Sequence, residues 1–571
     1  MTVAAPSLSQ SNSKGRSTHC DIKLETDPLP LFRLLDDAAR DYPDCPAFDY
    51  RGQSITYRTY SAIVERAACG LQGLGLGKGS RVGLVMPNSP YYAIMFFAVL
   101  KAGGTVVNFN PSYTDIELVD QMNDSGVSVM VCLDGDSMPA KLSSIIGATS
   151  VTSIIVCPQS QAVAVELERA PNTSQVIPFD WLIDNAFSLL EHDIDPMVDA
   201  ALLQYTGGTT GTAKAAVLTH ANLYQNVRQI DIWIAELERG KEVFLAVIPF
   251  FHVFALTILL LLGVGTASEI VILDHFEPLT ALSTIERKRP TFLAAVPTVF
   301  AALCARLRPE GKDLSFIRIC ISGGAPLPEQ VLTDFRALTG CDICEGFGLT
   351  ECSPVVTVNP IRGTRKSGSI GLPIPGTVVE LASLTDRDTI LGLGETGELV
   401  VSGPQVMAGY LNRPDETEDV LRGSRLYTGD VAFIDADGYV FIMDRIKDMI
   451  ICGGFKVYPR RVEEAILKHP GVEECIVAGV PARHVGETVK AWIKTKSGVV
   501  LTESELKEFL KPYLSAVERP KKFEFRTQPL PRTNIGKLSR RLARLEELET
   551  DSKLATSAKQ ARCPAEDLTT A

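Results

Sequence analysis

A chain of 571 residues, 45% of them hydrophobic and 22% charged, has the composition of a globular protein and the length for more than one domain. Its 56 Lys and Arg against 68 Asp and Glu give a formal net charge of −12, which argues against a nucleic-acid partner, because such a partner favours a basic face. Among its 13 cysteines the pair Cys341 and Cys344 lacks a second half, so free thiols in a reducing compartment are favoured over a zinc site.

Neither end of this sequence matches the targeting signals considered. Residues 1–20 are polar and Ser-rich, without the apolar run of a secretory signal. The longest apolar stretch, 254–264, is shorter than the ~20 residues that span a bilayer and predicts a buried helix. The ending Thr569-Thr570-Ala571 does not match a Ser-Lys-Leu address. A cytoplasmic location is expected, with a peroxisomal one left open.

The first part of the chain alternates between helical and strand periods. Leu31, Leu34, Leu35 and Ala38 repeat at helical spacing. The predicted elements that follow are helices at 57–74 and 91–102 and strands at 81–86, 105–107 and 127–133. Such alternation indicates a parallel sheet covered by helices. The glycines from Gly73 to Gly79 follow a helix and not a strand, so they predict a helix cap and turn rather than a dinucleotide site.

Three more buried strands, at 268–273, 291–296 and 316–321, continue this α/β pattern. Beyond Asp444 the chain changes to a helix at 460–468, strands at 474–480 and 489–496, a helix opened by the capping box of Thr502 and Glu505, and a strand at 522–525. We therefore expect a large domain at 28–444 and a small α+β domain at 445–545. Residues 1–27 and 546–571 are predicted to be disordered.

A loop rich in glycine and threonine, residues 206–214, follows the apolar run 200–203. Its three glycines allow a tight turn with inward amides, and its four threonines and Lys214 add donors and a positive charge. These features are typical of a polyphosphate nest. Lys214 stands three residues past Gly211, which does not fit the Walker pattern of kinases and GTPases. The alternative is a surface turn without a chemical role.

Residues 203–220 resemble the first signature of the adenylate-forming superfamily, which comprises acyl-CoA synthetases, the adenylation domains of peptide synthetases, and luciferases. Further signatures follow in the superfamily's order at 249–252, 322–326, 345–351, 427–430, 444–448 and 531–537. The residues of these motifs are most similar to those of fatty acyl-CoA synthetases. The resemblance implies an α/β fold with a large multi-layer N-terminal domain of parallel sheets and helices and a small, mobile α+β C-terminal domain.

The resemblance also implies a reaction in two steps. A carboxylic acid and ATP, with Mg²⁺, give an acyl-adenylate and pyrophosphate, and the thiol of coenzyme A then attacks the adenylate. Because two anions meet in the first step, cations are needed between them. Lys537 matches the family's catalytic lysine, Glu351 its Mg²⁺ ligand, and Thr350 a hydrogen-bond donor to the α-phosphate. The alternative without a chemical role is an exposed lysine for Lys537 and a solvated surface carboxylate for Glu351.

The nucleotide site is likewise implied by the family match. Asp430 would accept both ribose hydroxyls, Arg445 would reach the ribose, and Phe347 would stack on adenine beside Gly323. The full implied set is Thr206, Gly207, Gly208, Thr209, Thr210, Gly211, Lys214, Gly324, Ala325, Glu345, Gly346, Phe347, Gly348, Thr350, Asp430, Arg445 and Lys537.

Other family positions concern the acid, the thiol and domain motion. His252 is assigned to substrate positioning, at an acyl pocket with Phe254, Ile258, Val355 and Val356, although plain core packing is the alternative for the apolar four. Gly453 and Gly454 match the loop that lines the pantetheine tunnel, and Lys447 matches the hinge.

Three positions depart from the family pattern. Phe347 replaces the usual Tyr, Ala213 the usual Pro, and Ala215 the usual Gly. A looser or more crowded loop would affect the rate more than the type of reaction.

The apolar pocket candidates favour a fatty or related aliphatic acid over an arylacrylic acid. An acyl-AMP ligase that passes the acyl group to a separate carrier protein or downstream synthase, an aryl acid–CoA ligase and light production remain alternatives. A non-catalytic sensor on the same fold is disfavoured by Lys537, Glu351 and Asp430.

Overall fold

The computed structural model describes residues 8–10, 17–20, 24, 27–135, 137–159, 175–184, 188–206, 213–307, 314–452, 454–482, 486–532 and 538–547. The chain divides into two compact units. The first is Met1–Thr428 with Phe433–Phe441, and the second is Gly429–Ala432 with Ile442–Ala571.

A sheet with a parallel centre in the first unit carries the ends of the glycine- and threonine-rich loop. Its strands, in spatial order, are Gly409–Tyr410, Lys214–Thr219, Ala200–Thr206, Thr105–Asn108, Arg81–Leu84, Val129–Leu133, Ser153–Cys157 and Gln175–Pro178. The strand Lys214–Thr219 pairs antiparallel with both of its neighbours, Gly409–Tyr410 and Ala200–Thr206. The remaining pairings, from Ala200–Thr206 with Thr105–Asn108 to the last strand, are parallel. The strands predicted at 81–86, 105–107 and 127–133 are confirmed. Every position of Val129–Leu133 is buried, as expected for a parallel strand covered on both faces.

A second sheet of the same unit has the same character. Its strands, in spatial order, are Leu372–Pro373, Val355–Val358, Ile343–Gly348, Ile319–Ser322, Phe292–Ala295, Val243–Ala246, Glu269–Ile272, Pro46–Tyr50 and Gln53–Thr56. The pairings from Ile343–Gly348 to Pro46–Tyr50 are parallel. The strands predicted at 268–273, 291–296 and 316–321 are confirmed within a few residues. In both sheets the loops that follow parallel strands are the expected place for a ligand.

A third sheet contains antiparallel pairings. It orders Leu8–Gln10, Ser17–Cys20, Val378–Ala382, Thr396–Ser402, Arg425–Ile434 and Leu421–Arg422, and Arg425–Ile434 also pairs with Val440–Arg445. Both of these last strands run through the division between the two units.

In the first unit, the helices predicted at 57–74 and 91–102 are confirmed as Tyr57–Gly73 and Pro90–Lys101. The α-helices are Arg33–Asp41, Tyr57–Gly73, Pro90–Lys101, Asp115–Ser125, Met138–Ile145, Phe179–Ile183, His220–Trp233, Val253–Ala255, Leu262–Gly265, Pro278–Lys288, Pro297–Arg306, Glu329–Thr339 and Pro414–Val420. Short 3₁₀ helices are Ile146–Ala148 and Thr350–Cys352. The turn after Tyr57–Gly73 contains Gly75 and Gly79 at φ of 83° and 87°, which confirms the predicted cap and turn.

The apolar stretch at 254–264 is buried and helical, as predicted, but it is not a regular α-helix. Its middle, Leu256–Leu261, is a π-helix flanked by the short α-helices Val253–Ala255 and Leu262–Gly265. The wider turn is a local irregularity that periodicity does not reveal, and such turns are frequent near functional sites. In the described part of the chain, no helix combines the length and apolar character that a membrane crossing needs.

The second unit is built on one sheet, with its own hydrophobic core. Its strands run in the order Phe455–Val457, Ile450–Cys452, Gly486–Thr495 and Val472–Ala482, and Lys522–Arg526 pairs parallel with Gly486–Thr495. This unit also contains the 3₁₀ helix Ile446–Asp448 and the α-helices Pro459–Leu467 and Glu503–Leu510. The predicted capping box is confirmed, because Glu505 N–H donates to Thr502 Oγ1 at 3.3 Å and Thr502 N–H donates to Glu505 Oε2 at 2.9 Å.

His220, the first residue of the helix that follows Lys214–Thr219, is expected to make folding pH-dependent. Leu31 N–H donates to its Nδ1 at 3.0 Å, and burial lowers its pKa from 6.5 to about 4, against an opposing effect of Asp199. His220 binds a proton in the unfolded chain below pH 6.5, whereas in the folded protein it stays neutral down to about pH 4. The free energy of unfolding should therefore decrease as the pH falls from 6.5 to about 4. The loss should be roughly 3 kcal/mol.

Urea unfolding of the wild type at a series of pH values measures this loss, and His220→Gln should remove most of it. His275→Gln, at an exposed histidine, is the control. An unchanged pH dependence in His220→Gln would contradict the assignment.

Candidate active site

The two ends of the glycine- and threonine-rich loop are held together by an antiparallel strand pair. Thr206 lies opposite Lys214 in the register, and Thr206 Oγ1–H donates to the Lys214 carbonyl oxygen at 3.4 Å. The intervening Gly207, Gly208, Thr209, Thr210 and Gly211 lie outside the described residues. The strands therefore fix where Lys214 leaves the sheet.

The Lys214 ammonium contacts two side chains of a distant segment. It forms an ion pair with the Glu416 carboxylate, and its Nζ lies 5.2 Å from the centroid of the Tyr410 ring. The Lys214 side chain is 25% exposed, so it remains within reach of solvent and of a ligand.

The two alanines that depart from the family pattern lie at the core of the first unit. Ala215 is fully buried opposite Tyr205, among residues such as Phe109 and Leu203, and Ala213 packs against the same cluster. The extra methyl of Ala215 is therefore accommodated as core packing.

The strand Ile343–Gly348 carries the candidate adenine and phosphate residues to the carboxyl end of a parallel sheet. Glu345 is buried, and its Oε1 accepts a hydrogen bond from Leu327 N–H at 3.2 Å, which ties the loop after Ile319–Ser322 to this strand. Gly346 and the Phe347 ring are half-buried. A Cβ at Gly348 would stand 2.2 Å from the Pro354 carbonyl oxygen, so only glycine fits there.

Thr350 and Glu351 follow this strand in the short helix Thr350–Cys352, and both are half-buried. Tyr410 O–H donates to Glu351 Oε1 at 2.7 Å, and Met407 N–H donates to the Glu351 carbonyl oxygen at 2.8 Å. Burial and the neighbouring Glu351 carboxylate raise the pKa of the Tyr410 phenol above its usual value. The phenol therefore keeps its proton and directs one carboxylate oxygen.

Glu351 is a chemically suitable ligand for Mg²⁺. A carboxylate is a hard oxygen donor, and Mg²⁺ commonly uses one or two protein carboxylates together with substrate phosphates and water. Among the residues that the structure describes, no three His, Cys, Asp or Glu side chains form an all-protein metal cage. The donor set fits a metal that arrives with a nucleotide.

The loop 323–326 borders the candidate acyl residues. A Cβ at Gly323 would lie 3.1 Å from Cζ of Phe254, so the glycine lets the backbone approach that ring. Gly324 is exposed with φ of 79°, in the left-handed region that favours glycine, and Ala325 is half-buried.

The candidate acyl residues lie on the irregular helix and the neighbouring strand. Phe254, Ile258, Val355 and Val356 are all buried. His252 is half-buried before the helix, and its Nδ1 accepts a hydrogen bond from Phe254 N–H at 3.3 Å. This contact orients the imidazole ring.

The second unit contains the remaining candidates. Asp430 is buried, and Arg445 Nε lies 3.2 Å from its Oδ1. Lys447 is exposed in the short helix Ile446–Asp448. Gly454, with φ of 85°, turns the hairpin between Ile450–Cys452 and Phe455–Val457. Gly453 and Lys537 lie outside the described residues.

Tyr410 and Glu416, which contact Glu351 and Lys214 respectively, are site residues that the motifs did not indicate. Tyr410 lies in the edge strand Gly409–Tyr410, which has only two residues and shows no periodicity, and Glu416 lies in the short helix Pro414–Val420 after it. The Gly-Tyr pair between apolar residues and Asn412-Arg413-Pro414 was the available signal.

Comparison with known proteins identifies the family. The sequence profile of the AMP-binding enzymes matches residues 35–411, and that of the AMP-binding enzyme C-terminal domain matches residues 461–537. The long-chain-fatty-acid–CoA ligase of Bacillus subtilis (strain 168) is 39% identical over 542 residues, which cover 92% of this chain and 96% of that protein. The feruloyl-CoA synthase of an Amycolatopsis species is 34% identical over 501 residues, which cover 88% and 95%.

A solved structure agrees with this result over nearly the whole chain. ATP-bound MatB from Rhodopseudomonas palustris superposes with a TM-score of 0.81 at 29% identity, covering 91% of this chain and 99% of that one. The α/β fold class predicted from the sequence is confirmed. The chain belongs to the AMP-binding enzyme family and is an AMP-forming acid–thiol ligase.

Proposed function

We propose that this ligase activates a long-chain fatty acid or a related aliphatic acid and transfers it to coenzyme A. The observation that carries this choice is the 39% identity to a long-chain-fatty-acid–CoA ligase over 92% of the chain. The buried, uncharged Phe254, Ile258, Val355 and Val356 support it, because an alkyl chain needs apolar walls.

In the first step, the residues of the first unit hold the nucleotide. Lys214, with the amides and hydroxyls of residues 206–211, contacts the β- and γ-phosphates. Thr350 donates to the α-phosphate, and Phe347 stacks on adenine against the backbone of Gly323, Gly324 and Ala325. His252 positions the acid. These groups align the carboxylate with the α-phosphorus and exclude water from it.

Mg²⁺ would be held by Glu351 together with phosphate oxygens, where it neutralises negative charge. Tyr410 fixes the orientation of the Glu351 carboxylate through its 2.7 Å hydrogen bond.

The second unit supplies the other groups in this proposal. Asp430 accepts from the ribose hydroxyls, Arg445 reaches the ribose, and Lys537 lies between the carboxylate and the α-phosphate. Rotation about Lys447 then withdraws Lys537 and brings Gly453 and Gly454 to the pantetheine arm. The 445–545 segment acts as the mobile domain.

We place the reaction in the cytoplasm, because the twelve cysteines of the described residues are free thiols, as in a reducing compartment.

Pyrophosphate release, measured acid by acid with and without coenzyme A, tests the proposed substrate. Long-chain fatty acids should give the highest kcat/KM, and acyl-CoA should accumulate when coenzyme A is present. A preference for arylacrylic acids would instead support the function named for the Amycolatopsis relative. Release of pyrophosphate without thioester, followed by transfer to an acyl carrier protein, would favour the carrier-dependent alternative.

Removing the Tyr410 hydroxyl should weaken the use of Mg²⁺. In Tyr410→Phe the Glu351 carboxylate loses its orienting donor, so the Mg²⁺ concentration for half-maximal pyrophosphate release should rise about tenfold. Tyr439→Phe, which removes a phenol bonded to the Thr364 carbonyl oxygen, is the matched control. An unchanged Mg²⁺ requirement in Tyr410→Phe would rule out this role.

A further inference from the structure

The phosphate-loop lysine is already engaged by an anion of the same chain. Glu416, in the first turn of the helix Pro414–Val420, pairs with the Lys214 ammonium. A triphosphate that binds Lys214 therefore competes with a carboxylate for the ammonium.

We propose that Glu416 is an internal substitute for phosphate, which holds Lys214 in place before ATP binds and recaptures it as pyrophosphate leaves. The inference rests on the proposed function, because it requires Lys214 to contact the phosphates of ATP. Glu416 is a positioning residue in this scheme and does not itself contact the reacting atoms.

The Glu416 carboxylate has a second cation that makes the exchange easy. Arg413 Nε lies 3.7 Å from Glu416 Oε1, and Arg413 Nη2 is anchored 3.0 Å from Asp124 Oδ1. When Lys214 turns to a phosphate, Glu416 keeps Arg413 and is not left as an uncompensated charge. Its place in the first helical turn stabilises the carboxylate further.

The backbone around Glu416 holds the exchange geometry fixed. Tyr410 N–H donates to Thr417 Oγ1 at 2.9 Å, and Thr417 Oγ1–H donates to the Arg413 carbonyl oxygen at 2.8 Å. Tyr410 also lies opposite Ala216 in the sheet. The helix of Glu416 is thus attached to the strand that begins at Lys214.

The strength of the pair suits a displaceable contact. The side chains of Lys214 and Glu416 are 25% and 38% exposed, and ion pairs this accessible are weak. A polyphosphate carries several charges and hydrogen-bond acceptors, so it outcompetes a single carboxylate. The ring of Tyr410 beside Nζ keeps the ammonium near the loop during the exchange.

Calorimetric titration of the acid-free protein with magnesium pyrophosphate and with ATP tests the proposal. Glu416→Gln removes the competing charge and keeps the side-chain volume, so pyrophosphate should bind about two- to fivefold more tightly than to the wild type. Glu418→Gln, on the same helix but lining a shallow depression with Val217 and Leu421, should bind as the wild type does.

A double-mutant cycle separates the competing explanations. Lys214→Gln should weaken pyrophosphate binding, and adding Glu416→Gln to it should have no further effect, because the competed cation is gone. Equal or weaker pyrophosphate binding by Glu416→Gln would overturn the inference. Failure of the wild type to bind ATP or pyrophosphate at all would instead overturn the proposed function.

Discussion

Lys537→Ala is expected to lower the rate of acyl-adenylate formation by about two to three orders of magnitude. In the proposed mechanism Lys537 lies between the carboxylate and the α-phosphate, where negative charge builds up in the first step. Thiol transfer from a supplied acyl-adenylate should stay near the wild-type rate, because the lysine is withdrawn before that step. Single-turnover measurements of the two half-reactions give both rates.

An exposed lysine of the same unit provides the control for this experiment. Lys511→Ala, at the end of the helix Glu503–Leu510, should leave both half-reactions unchanged. Equal loss of both half-reactions in Lys537→Ala would contradict the assigned role and would indicate damage to the unit as a whole.

Arg540→Met is expected to destabilise the second unit by about 3–5 kcal/mol. The guanidinium joins three acidic side chains, with Arg540 Nη2 2.6 Å from Glu463 Oε2, and Nη1 2.7 Å from Asp444 Oδ1 and 3.4 Å from Asp448 Oδ2. Methionine fills similar volume but leaves the buried Asp444 carboxylate and the half-buried Asp448 and Glu463 carboxylates without this cation. Hydrogen exchange of the strand Val472–Ala482, whose Val477 N–H donates to Glu463, measures the loss.

The pH dependence of this variant has a definite sign. Burial already raises the pKa of Glu463 above its usual range. Since a carboxyl with a raised folded pKa binds a proton more readily in the folded state, stability falls as the pH rises through that range. The defect of Arg540→Met should therefore be largest near neutral pH and smaller in acid. Arg541→Met, at the exposed neighbouring position, should change stability little, and an Arg540→Met effect equally small would refute the network.

The sheets were predictable because their signals are local. The strand Val129–Leu133 is an unbroken apolar run, and the capping box of Thr502 and Glu505 lies within four consecutive residues. The π-helix Leu256–Leu261 was not predictable, because all its side chains except Thr257 are apolar and the residues show no helical alternation of apolar and polar positions.

The site itself was only partly predictable. Motif spacing pointed to Lys214 and Glu351, but it could not reveal Tyr410, which is separated from Glu351 by 59 positions and meets it through the fold. The same holds for Glu416, which in a linear reading is one acidic residue in an acidic stretch. Ala215 was expected to crowd the loop, yet its methyl fills the core, because packing depends on neighbours such as Phe109 that lie far away in sequence.

The fate of the carboxylate oxygens tests the central claim, formation of an acyl-adenylate, most directly. A long-chain fatty acid with both carboxylate oxygens labelled by a heavy isotope is incubated with the enzyme, ATP, Mg²⁺ and coenzyme A. The masses of the products are then measured by mass spectrometry. AMP should carry one labelled oxygen, and the acyl-CoA should retain the other. Unlabelled AMP, or label appearing in inorganic phosphate beside ADP, would contradict it.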